Sequence, residues 1–224
     1  MRSVSTWVAG FALAIVVVGT AVLPLTGPGF TRTLSTRFSL AAEAGLSPER
    51  MLEIAEQVRG FVVSGDPGTL PETVDGRSGF DAAAVSHLGD VFGVLNAAKL
   101  FTGLVTALVT IWIAIELARR RPGRIADALR AGAVLSVAFV LLAAAAATLD
   151  FDSFFTAFHG LFFRSGTWTF AYDSLLIQAF PEPFWVTSGA AWATLTALGA
   201  AILWGLARLL SSSPDTTRTP PPAG

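Results

Sequence analysis

Cysteine is absent from the 224-residue chain, and charged residues make up only 14% of it. Without cysteine there is no disulfide, no thiolate nucleophile and no zinc–thiolate site. Little charge together with 53% hydrophobic residues is typical of a protein dissolved in lipid rather than in water. The formal net charge of −1 gives no overall basicity, so no nucleic-acid partner is expected.

Four apolar stretches are long enough to cross a membrane, since a spanning helix needs about 20 apolar residues. They cover roughly residues 7–25, 100–117, 131–149 and 186–210. The predicted fold class is therefore an all-α membrane protein with four transmembrane helices, residues 1–210 forming a single membrane domain. Residues 211–224 are rich in proline, serine and threonine and are predicted to be a disordered cytoplasmic tail.

The orientation is predicted from the arginine-rich loop 118–130 between the second and third stretches. Short loops rich in arginine stay on the cytoplasmic side of a membrane. Both termini are then cytoplasmic, and the outer segments 26–99 and 150–185 face the extracytoplasmic side. The first stretch follows Arg2 as a signal peptide would, but no Ala-x-Ala site follows it, so a retained anchor is favoured over cleavage.

The first outer segment is predicted to form an extracytoplasmic cap that contains one short amphipathic helix. Ser47 should cap this helix and Pro48 should occupy its first position, with apolar residues recurring on one face. Alternation from Phe30 to Leu40 and the turn signal Asp75-Gly76 indicate short strands in the same cap.

The chain has two histidines, and both fall in the predicted outer segments. His87 is expected close to the start of the second spanning helix, near Ser86, with Asp90 three positions away on the same face. A carboxylate in that position can orient an imidazole and fix its tautomer. A hydrophilic helix start in the headgroup layer has the same pattern, and spacing alone favours this simpler interpretation.

His159 lies in an unusually aromatic segment, Phe151 to Arg164. If Asp152 or Ser153 caps a short helix there, three phenylalanines share a face with the imidazole: Phe155, Phe162 and Phe163. Burial among such rings disfavours imidazolium, so this histidine should be neutral at pH 7 and able to accept a proton. An aromatic belt at the membrane interface that includes one histidine accounts for the pattern equally well.

The two histidine segments resemble the motifs of a known family. The stretches concerned are His87-Leu88-Gly89-Asp90-Val91, Phe158-His159-Gly160-Leu161-Phe162-Phe163, Trp168, Asp173, Leu176-Ile177 and Phe180-Pro181-Glu182. They are similar to those of bacterial four-span integral membrane proteins, formerly a domain of unknown function, whose characterised members are lipoprotein intramolecular transacylases. The four-span layout and the long first outer segment also resemble this family. Where its pattern commonly has a lysine after the Asp-Val pair, this chain has Phe92.

The resemblance implies transfer of the sn-2 acyl chain of a diacylglyceryl-cysteine lipoprotein to the α-amino group of the same cysteine. It implies His87 and His159 as the catalytic histidines, on the extracytoplasmic side of the bacterial cytoplasmic membrane. The implied partners are the diacylated lipoprotein N-terminus and membrane lipids. No cofactor is expected, the histidines lack the spacing of a metal site, and the oligomeric state is left open.

A reaction within one molecule needs little machinery, because nucleophile and ester arrive already tethered. One neutral histidine can take a proton from the α-amine and return it to the departing glycerol oxygen, while a second donor stabilises the oxyanion. We predict His159 as the base and His87 as its partner. The remaining predicted site residues are the supporting carboxylates Asp90, Asp173 and Glu182 and the substrate-binding residues Phe155, Phe162, Arg164 and Trp168.

Direct attack by the amine is favoured over an acyl-enzyme, because no serine lies in a recognisable nucleophile motif. A non-catalytic membrane protein that binds lipids or a partner through its outer segment is the main alternative. A transporter is disfavoured, since the spanning stretches contain hardly any ionisable residue apart from Glu116.

Overall fold

Four long helices dominate the computed structural model of the chain, which describes residues 3–66, 68 and 70–211. Apart from Ser211, the predicted tail lies outside the described residues. In chain order the elements are α1 (Val4–Thr20), a 3-10 turn (Leu23–Thr26), α2 (Pro28–Phe38), α3 (Pro48–Ser64), β1 (Thr73–Val74), β2 (Arg77–Ser78), α4 (Ala82–Ala118), α5 (Pro122–Leu149), α6 (Phe151–Phe162), α7 (Leu175–Ala179) and α8 (Glu182–Ser211).

The four-span, all-α fold class predicted from the sequence is confirmed. By length and composition, four helical segments of the described chain can cross a membrane: Val4–Thr26, Ala82–Ala118, Pro122–Leu149 and Glu182–Ser211. Two short strands accompany them, also as predicted.

Helix α4 is longer than the sequence indicated, because Asp81 caps it by accepting a hydrogen bond from the Ala84 amide at 2.8 Å. It begins at Ala82 rather than near Ser86 and runs for 37 residues. At 1.5 Å per residue the helix is about 55 Å long, whereas a hydrocarbon layer is about 30 Å thick. About 17 of its residues therefore extend beyond the layer, and with the apolar stretch 100–117 inside the layer His87 is among them.

The predicted arginine loop 118–130 is much shorter in the structure. Only Arg119, Arg120 and Arg121 separate α4 from α5, since Pro122 already occupies the first position of α5. Proline is well suited to that position because its missing N–H needs no partner there. We call this end of the bundle the arginine end.

A buried ion pair joins three helices at the arginine end. The side chain of Glu116 is 2% exposed, and Arg124 donates to its two carboxylate oxygens at 2.9 and 3.1 Å. Arg124 also donates to the hydroxyl of Ser3, at 2.6 Å, and to that of Ser5. Glu116 is therefore a paired structural group that ties α4 to α5 and α1.

Small residues allow the spanning helices to pack closely. A Cβ atom added to Gly10 of α1 would lie 2.7 Å from the Cβ of Ala131, and one added to Gly132 of α5 would lie 2.8 Å from the Cβ of Leu13. Such close approach is characteristic of helix pairs in membranes. The indole of Trp192 on α8 also donates to the carbonyl oxygen of Val18 at 3.1 Å, which joins α8 to α1.

At the opposite end of the bundle α2, α3, the hairpin, α6 and α7 form a cap, and we call this the cap end. The prediction of strands between Phe30 and Leu40 is wrong, because these residues belong to α2. The buried positions Thr31, Leu34 and Ser35 follow helical spacing. Because two of them are polar, a search for regularly spaced hydrophobic residues does not detect this helix.

Helix α3 has the predicted start. The Ser47 hydroxyl accepts a hydrogen bond from the Arg50 amide at 3.1 Å, and Pro48 is the first helical residue. Its apolar face is buried in the core of the cap through Met51, Ile54, Ala55, Val58 and Phe61. The helix ends at Ser64 and is capped by Gly65, whose φ of +79° fits glycine; the ring of Phe92 packs against Gly65.

The turn signal Asp75-Gly76 is confirmed as the turn of the β1–β2 hairpin. Val74 pairs with Arg77, and the two turn residues have φ of 49° and 82°, as a two-residue hairpin turn requires. From this hairpin the Arg77 guanidinium donates to the carbonyl oxygens of Ala44 at 2.6 Å and Asp173 at 3.0 Å. Arg77 thereby fixes the loop after α6, which carries two aromatic residues of the site described next.

Candidate active site

The two histidines meet at the cap end of the bundle. His87 lies on α4 and His159 on α6, and their ring centroids are 6.3 Å apart with the ring planes inclined by 30°. His87 is 8% exposed, and His159 is half-buried. At this separation one ester group can contact both imidazoles.

Helix α6 begins immediately after α5, and this sharp change of direction brings His159 over α4. Asp150 is the cap: its carboxylate accepts from the Ser153 amide at 3.0 Å and from the Ser153 hydroxyl at 2.6 Å. The prediction that Asp152 or Ser153 caps the helix is therefore wrong by two or three positions. Because a single residue separates the two helices, the position of α6 is fixed by the end of a spanning helix.

The tautomer of His159 follows from its hydrogen bond. The Nδ1 atom lies 2.9 Å from the carbonyl oxygen of Phe155. A carbonyl can only accept, so Nδ1 must carry the proton, and a neutral ring presents its lone pair at Nε2. Burial lowers the pKa of His159 from its ordinary value, and the bond to Phe155 opposes this in part. His159 can therefore act as a neutral base at pH 7.

Aromatic rings enclose both imidazoles. His159 lies between Phe155 and Trp168, with centroid distances of 4.0 and 4.7 Å. Phe163 contacts both histidines, at 5.0 Å from His87 and 5.5 Å from His159. The apolar surroundings that the sequence predicted for His159 are present, and they extend to His87.

Phe162 does not flank His159 as its spacing predicted. Its ring contacts those of Phe158 at 5.2 Å and Phe163 at 6.4 Å, and it is 49% exposed. Helix α6 ends at Phe162, and the extended backbone of Phe163 turns the chain back toward His87.

Phe170 was not predicted from the sequence, although its ring lies 5.6 Å from that of His87. It stands in the loop after α6, which Arg77 holds through the backbone oxygen of Asp173. Neither residue has a local signal in the sequence, because both act only once the cap has folded.

Two ring nitrogens of the site lack a hydrogen-bond partner in the part of the chain that the structure describes. His87 Nδ1 and Trp168 Nε1 are buried, and neither has a hydrogen-bond partner among the described residues. An unpaired buried polar atom costs about 1 to 3 kcal/mol, and each such atom needs an explanation. Two of them beside one imidazole pair are well suited to polar groups of a bound substrate.

The predicted supporting carboxylates lie at the edge of the site. Asp90 is exposed one helical turn from His87, and in the described part of the chain it makes no hydrogen bond with either imidazole. Asp173 contributes its backbone oxygen, and Glu182 begins α8 as an exposed residue. Among the described residues no three histidine or carboxylate side chains cluster as a metal site would require.

An open groove of about 360 Å³ lies beside the histidine pair, between α4 and the end of α6. Its lining consists of Gly89, Asp90, Gly93, Val94, Phe162, Phe163, Arg164 and Thr167. Phe163 is the wall shared by the groove and the histidines. The exposed guanidinium of Arg164 has no ion-pair partner in the described chain, so it is available to a ligand.

Comparison with known proteins identifies the family. The family model described as lipoprotein intramolecular transacylase Lit matches residues 7–185, which is most of the chain. The chain belongs to the lipoprotein intramolecular transacylase family. It is accordingly an enzyme, a transferase that is integral to the membrane and acts on lipoproteins. The resemblance seen in the histidine segments is thereby confirmed. No curated protein sequence matches the chain.

Solved structures of the Lit transacylase from Bacillus cereus share the fold. One, obtained in meso, is 16% identical, with 92% of this chain and 94% of that chain covered and a TM-score of 0.78. Two others, in which a histidine is replaced by arginine or by alanine, are 15% identical and have TM-scores of 0.72. At this identity the similarity establishes a shared architecture, and membership of the transacylase family rests on the sequence match.

Proposed function

We propose that the protein moves the sn-2 acyl chain of a diacylglyceryl-cysteine lipoprotein to the α-amino group of the same cysteine, with His159 and His87 as the acid–base pair. One observation carries this proposal: the only two histidines of the chain converge on a single aromatic site, 6.3 Å apart. The family defines the class of reaction, and the histidines are the groups of the site that can transfer protons.

His159 acts as the base in this scheme. The α-amine has a reference pKa of about 7.7 to 8.0, so at pH 7 its protonated form must first release one proton to solvent. As the free amine attacks the ester carbonyl and the new N–C bond forms, Nε2 of His159 accepts the second proton that this nitrogen loses. When the bond from the acyl carbon to the glycerol oxygen breaks, the imidazolium returns the proton to that oxygen. No water is consumed, and His159 ends as it began.

His87 stabilises the oxyanion of the tetrahedral intermediate. Its unpaired Nδ1 can donate a hydrogen bond to that oxygen in the tautomer that carries the proton there. A donor aimed at the developing charge in a site with little water is worth about 2.7 to 4 kcal/mol in related reactions. Asp90, one turn away on α4, is the supporting carboxylate closest in sequence to His87.

The remaining predicted residues bind the substrate or support the elements that form the site. Phe155, Phe162 and Trp168 provide apolar surface for the acyl chains, and Arg164 binds polar oxygens of the substrate. Asp173 maintains the loop that carries Trp168 through its bond with Arg77, and Glu182 stabilises the N-terminus of α8.

The site faces the extracytoplasmic side of the bacterial cytoplasmic membrane in this proposal. The arginine end carries Arg119, Arg120, Arg121, Arg124 and Arg130, and such clusters stay in the cytoplasm. The N-terminus of α1 and the C-terminus of α8 lie at the same end, so both termini are cytoplasmic and the cap end is outside.

A reconstituted assay tests the reaction. The purified protein in lipid nanodiscs should convert a diacylglyceryl lipopeptide into an N-acyl, S-monoacylglyceryl isomer of unchanged mass. Tandem mass spectrometry distinguishes the two isomers, because only the product has an acylated N-terminus. Recovery of the unchanged diacyl form, or of a hydrolysed monoacyl form with a free amine, would count against the proposal.

The ionisation of His159 gives a second prediction. Burial disfavours imidazolium, so the pKa of His159 should lie below 6.5, and the neutral ring should carry its proton on Nδ1. Nuclear magnetic resonance of ¹⁵N-labelled histidine checks both points, since only two rings contribute and a His87→Gln variant assigns them. A neutral ring protonated on Nε2 would contradict the assignment of Nε2 as the accepting atom, and a pKa that is not lowered would contradict the expected effect of burial.

A further inference from the structure

We propose that the groove between α4 and the end of α6 binds the peptide segment that follows the lipidated cysteine of the substrate. This inference rests on the proposed function, because it assumes that the cysteine amine reacts at the histidine pair. The groove would hold the peptide of the substrate, whereas the histidine pair acts on its lipid ester.

The groove begins where the reacting site ends. Phe163 contacts both imidazoles and also lines the groove. When the α-amine of the substrate cysteine contacts His159, the carbonyl group of the same cysteine is therefore close to the groove. The acyl chains can extend away from the groove, along the exposed apolar side chains of α6. On α6 the side chains of Phe158 and Leu161 are 47% and 78% exposed, and Leu149, the last residue of the spanning helix α5, is 87% exposed. The lipid chains therefore lie toward the membrane, and the peptide leaves through the groove.

The polar groups of the groove match a peptide backbone better than a lipid headgroup. Arg164 offers donors, Asp90 offers acceptors, and the Thr167 hydroxyl, which donates to the Arg164 carbonyl oxygen at 2.9 Å, can still accept. A peptide presents N–H and C=O groups in alternation and uses both kinds of partner. An anionic headgroup would meet the carboxylate of Asp90, which repels it.

Two glycines make the helix side of the groove shallow. Gly89 and Gly93 are one turn apart on α4, and a Cβ atom added to Gly93 would have no atom within 4 Å. The space of about 360 Å³ is within the range of about 300 to 1,000 Å³ that ligand sites occupy. A bulky side chain at Gly93 would start from open space and occupy part of the groove.

Two substrates and two matched variants test the proposal. The substrates are a diacylglyceryl-cysteine amide, which has no peptide, and a diacylglyceryl lipopeptide that continues for several residues. Gly93→Leu should lower kcat/KM for the lipopeptide about tenfold more than for the cysteine amide, chiefly through KM. Gly103→Leu is the control, because Gly103 is also exposed on α4 with nothing within 4 Å of an added Cβ, but lies outside the groove.

Binding is measured alongside turnover, in a His159→Ala background. A fluorescent lipopeptide should bind about tenfold more weakly when Gly93→Leu is added, and Gly103→Leu should not change its affinity. Equal effects of Gly93→Leu on the two substrates, or no effect on either, would overturn the proposal. If the wild-type protein converts neither substrate, the proposed reaction fails, while the binding comparison still decides whether the groove holds peptide.

Discussion

Replacing His159 by alanine is expected to slow acyl transfer about 10²- to 10⁴-fold, the range attributed to a positioned general acid–base group. The loss should be this large because His159 takes the proton of the attacking amine and also returns one to the leaving oxygen. Initial rates of N-acyl product formation in nanodiscs measure the effect. Thermal unfolding checks that the variant remains folded.

Two companion variants separate chemistry from structure at this position. His159→Gln can still donate to the Phe155 carbonyl but cannot exchange a proton at pH 7, so it should be as slow as the alanine variant. Thr156→Ala, at an exposed position on the same helix, should stay within about twofold of wild type. Near-normal rates in His159→Gln would mean that the imidazole only holds the end of α6 in place.

Replacing Arg124 by alanine is expected to destabilise the fold by about 3 to 5 kcal/mol, the usual cost of leaving one partner of a buried ion pair alone. The variant leaves the Glu116 carboxylate, 2% exposed, with only the distant Arg119 at 4.0 Å. It also removes the bonds to Ser3 and Ser5 that tie down α1. Equilibrium unfolding in mixed detergent micelles gives the free energy.

A double-mutant cycle shows whether the buried charge is the cause. Adding Glu116→Gln to Arg124→Ala removes the uncompensated charge and should recover a large part of the loss. If the two changes simply add, Glu116 and Arg124 are not coupled, and the interaction does not hold the arginine end together.

Local signals made much of the fold predictable. The start of α3 depends on Ser47 and Pro48, and the hairpin depends on the Asp75-Gly76 turn; each requires only a few neighbouring residues. The extent of the arginine loop was mispredicted, because arginines in the first turns of α5, such as Arg124, look the same in sequence as arginines in a loop.

The meeting of the two histidines could not be derived from spacing. His87 and His159 come together only because α5 returns the chain to the cap end and Asp150 turns it sharply into α6. The resemblance to a family indicated them as a pair, whereas the pattern around each one fitted a headgroup-layer helix or an aromatic belt as well.

The surroundings of the histidines were predictable only within one element. Phe155, four positions before His159 on α6, contacts it as helical spacing predicted, and Phe163 also contacts it, although from the extended residue that follows the helix. Phe170 contacts His87 from a loop that Arg77 anchors by donating to the backbone oxygens of Ala44 and Asp173. Because every residue has a backbone carbonyl, the identity of these residues gives no sign of the interaction. Contacts of this kind have no sequence signature.

The most direct test of the histidine-catalysed transfer uses a lipopeptide with a deuterated acyl chain at sn-2 and an unlabelled chain at sn-1. After reaction with the wild-type protein, the amide at the cysteine should carry the deuterated chain, and His159→Ala should form this product about 10²- to 10⁴-fold more slowly. An unlabelled chain in the amide, or equal labelling with the alanine variant, would contradict the account.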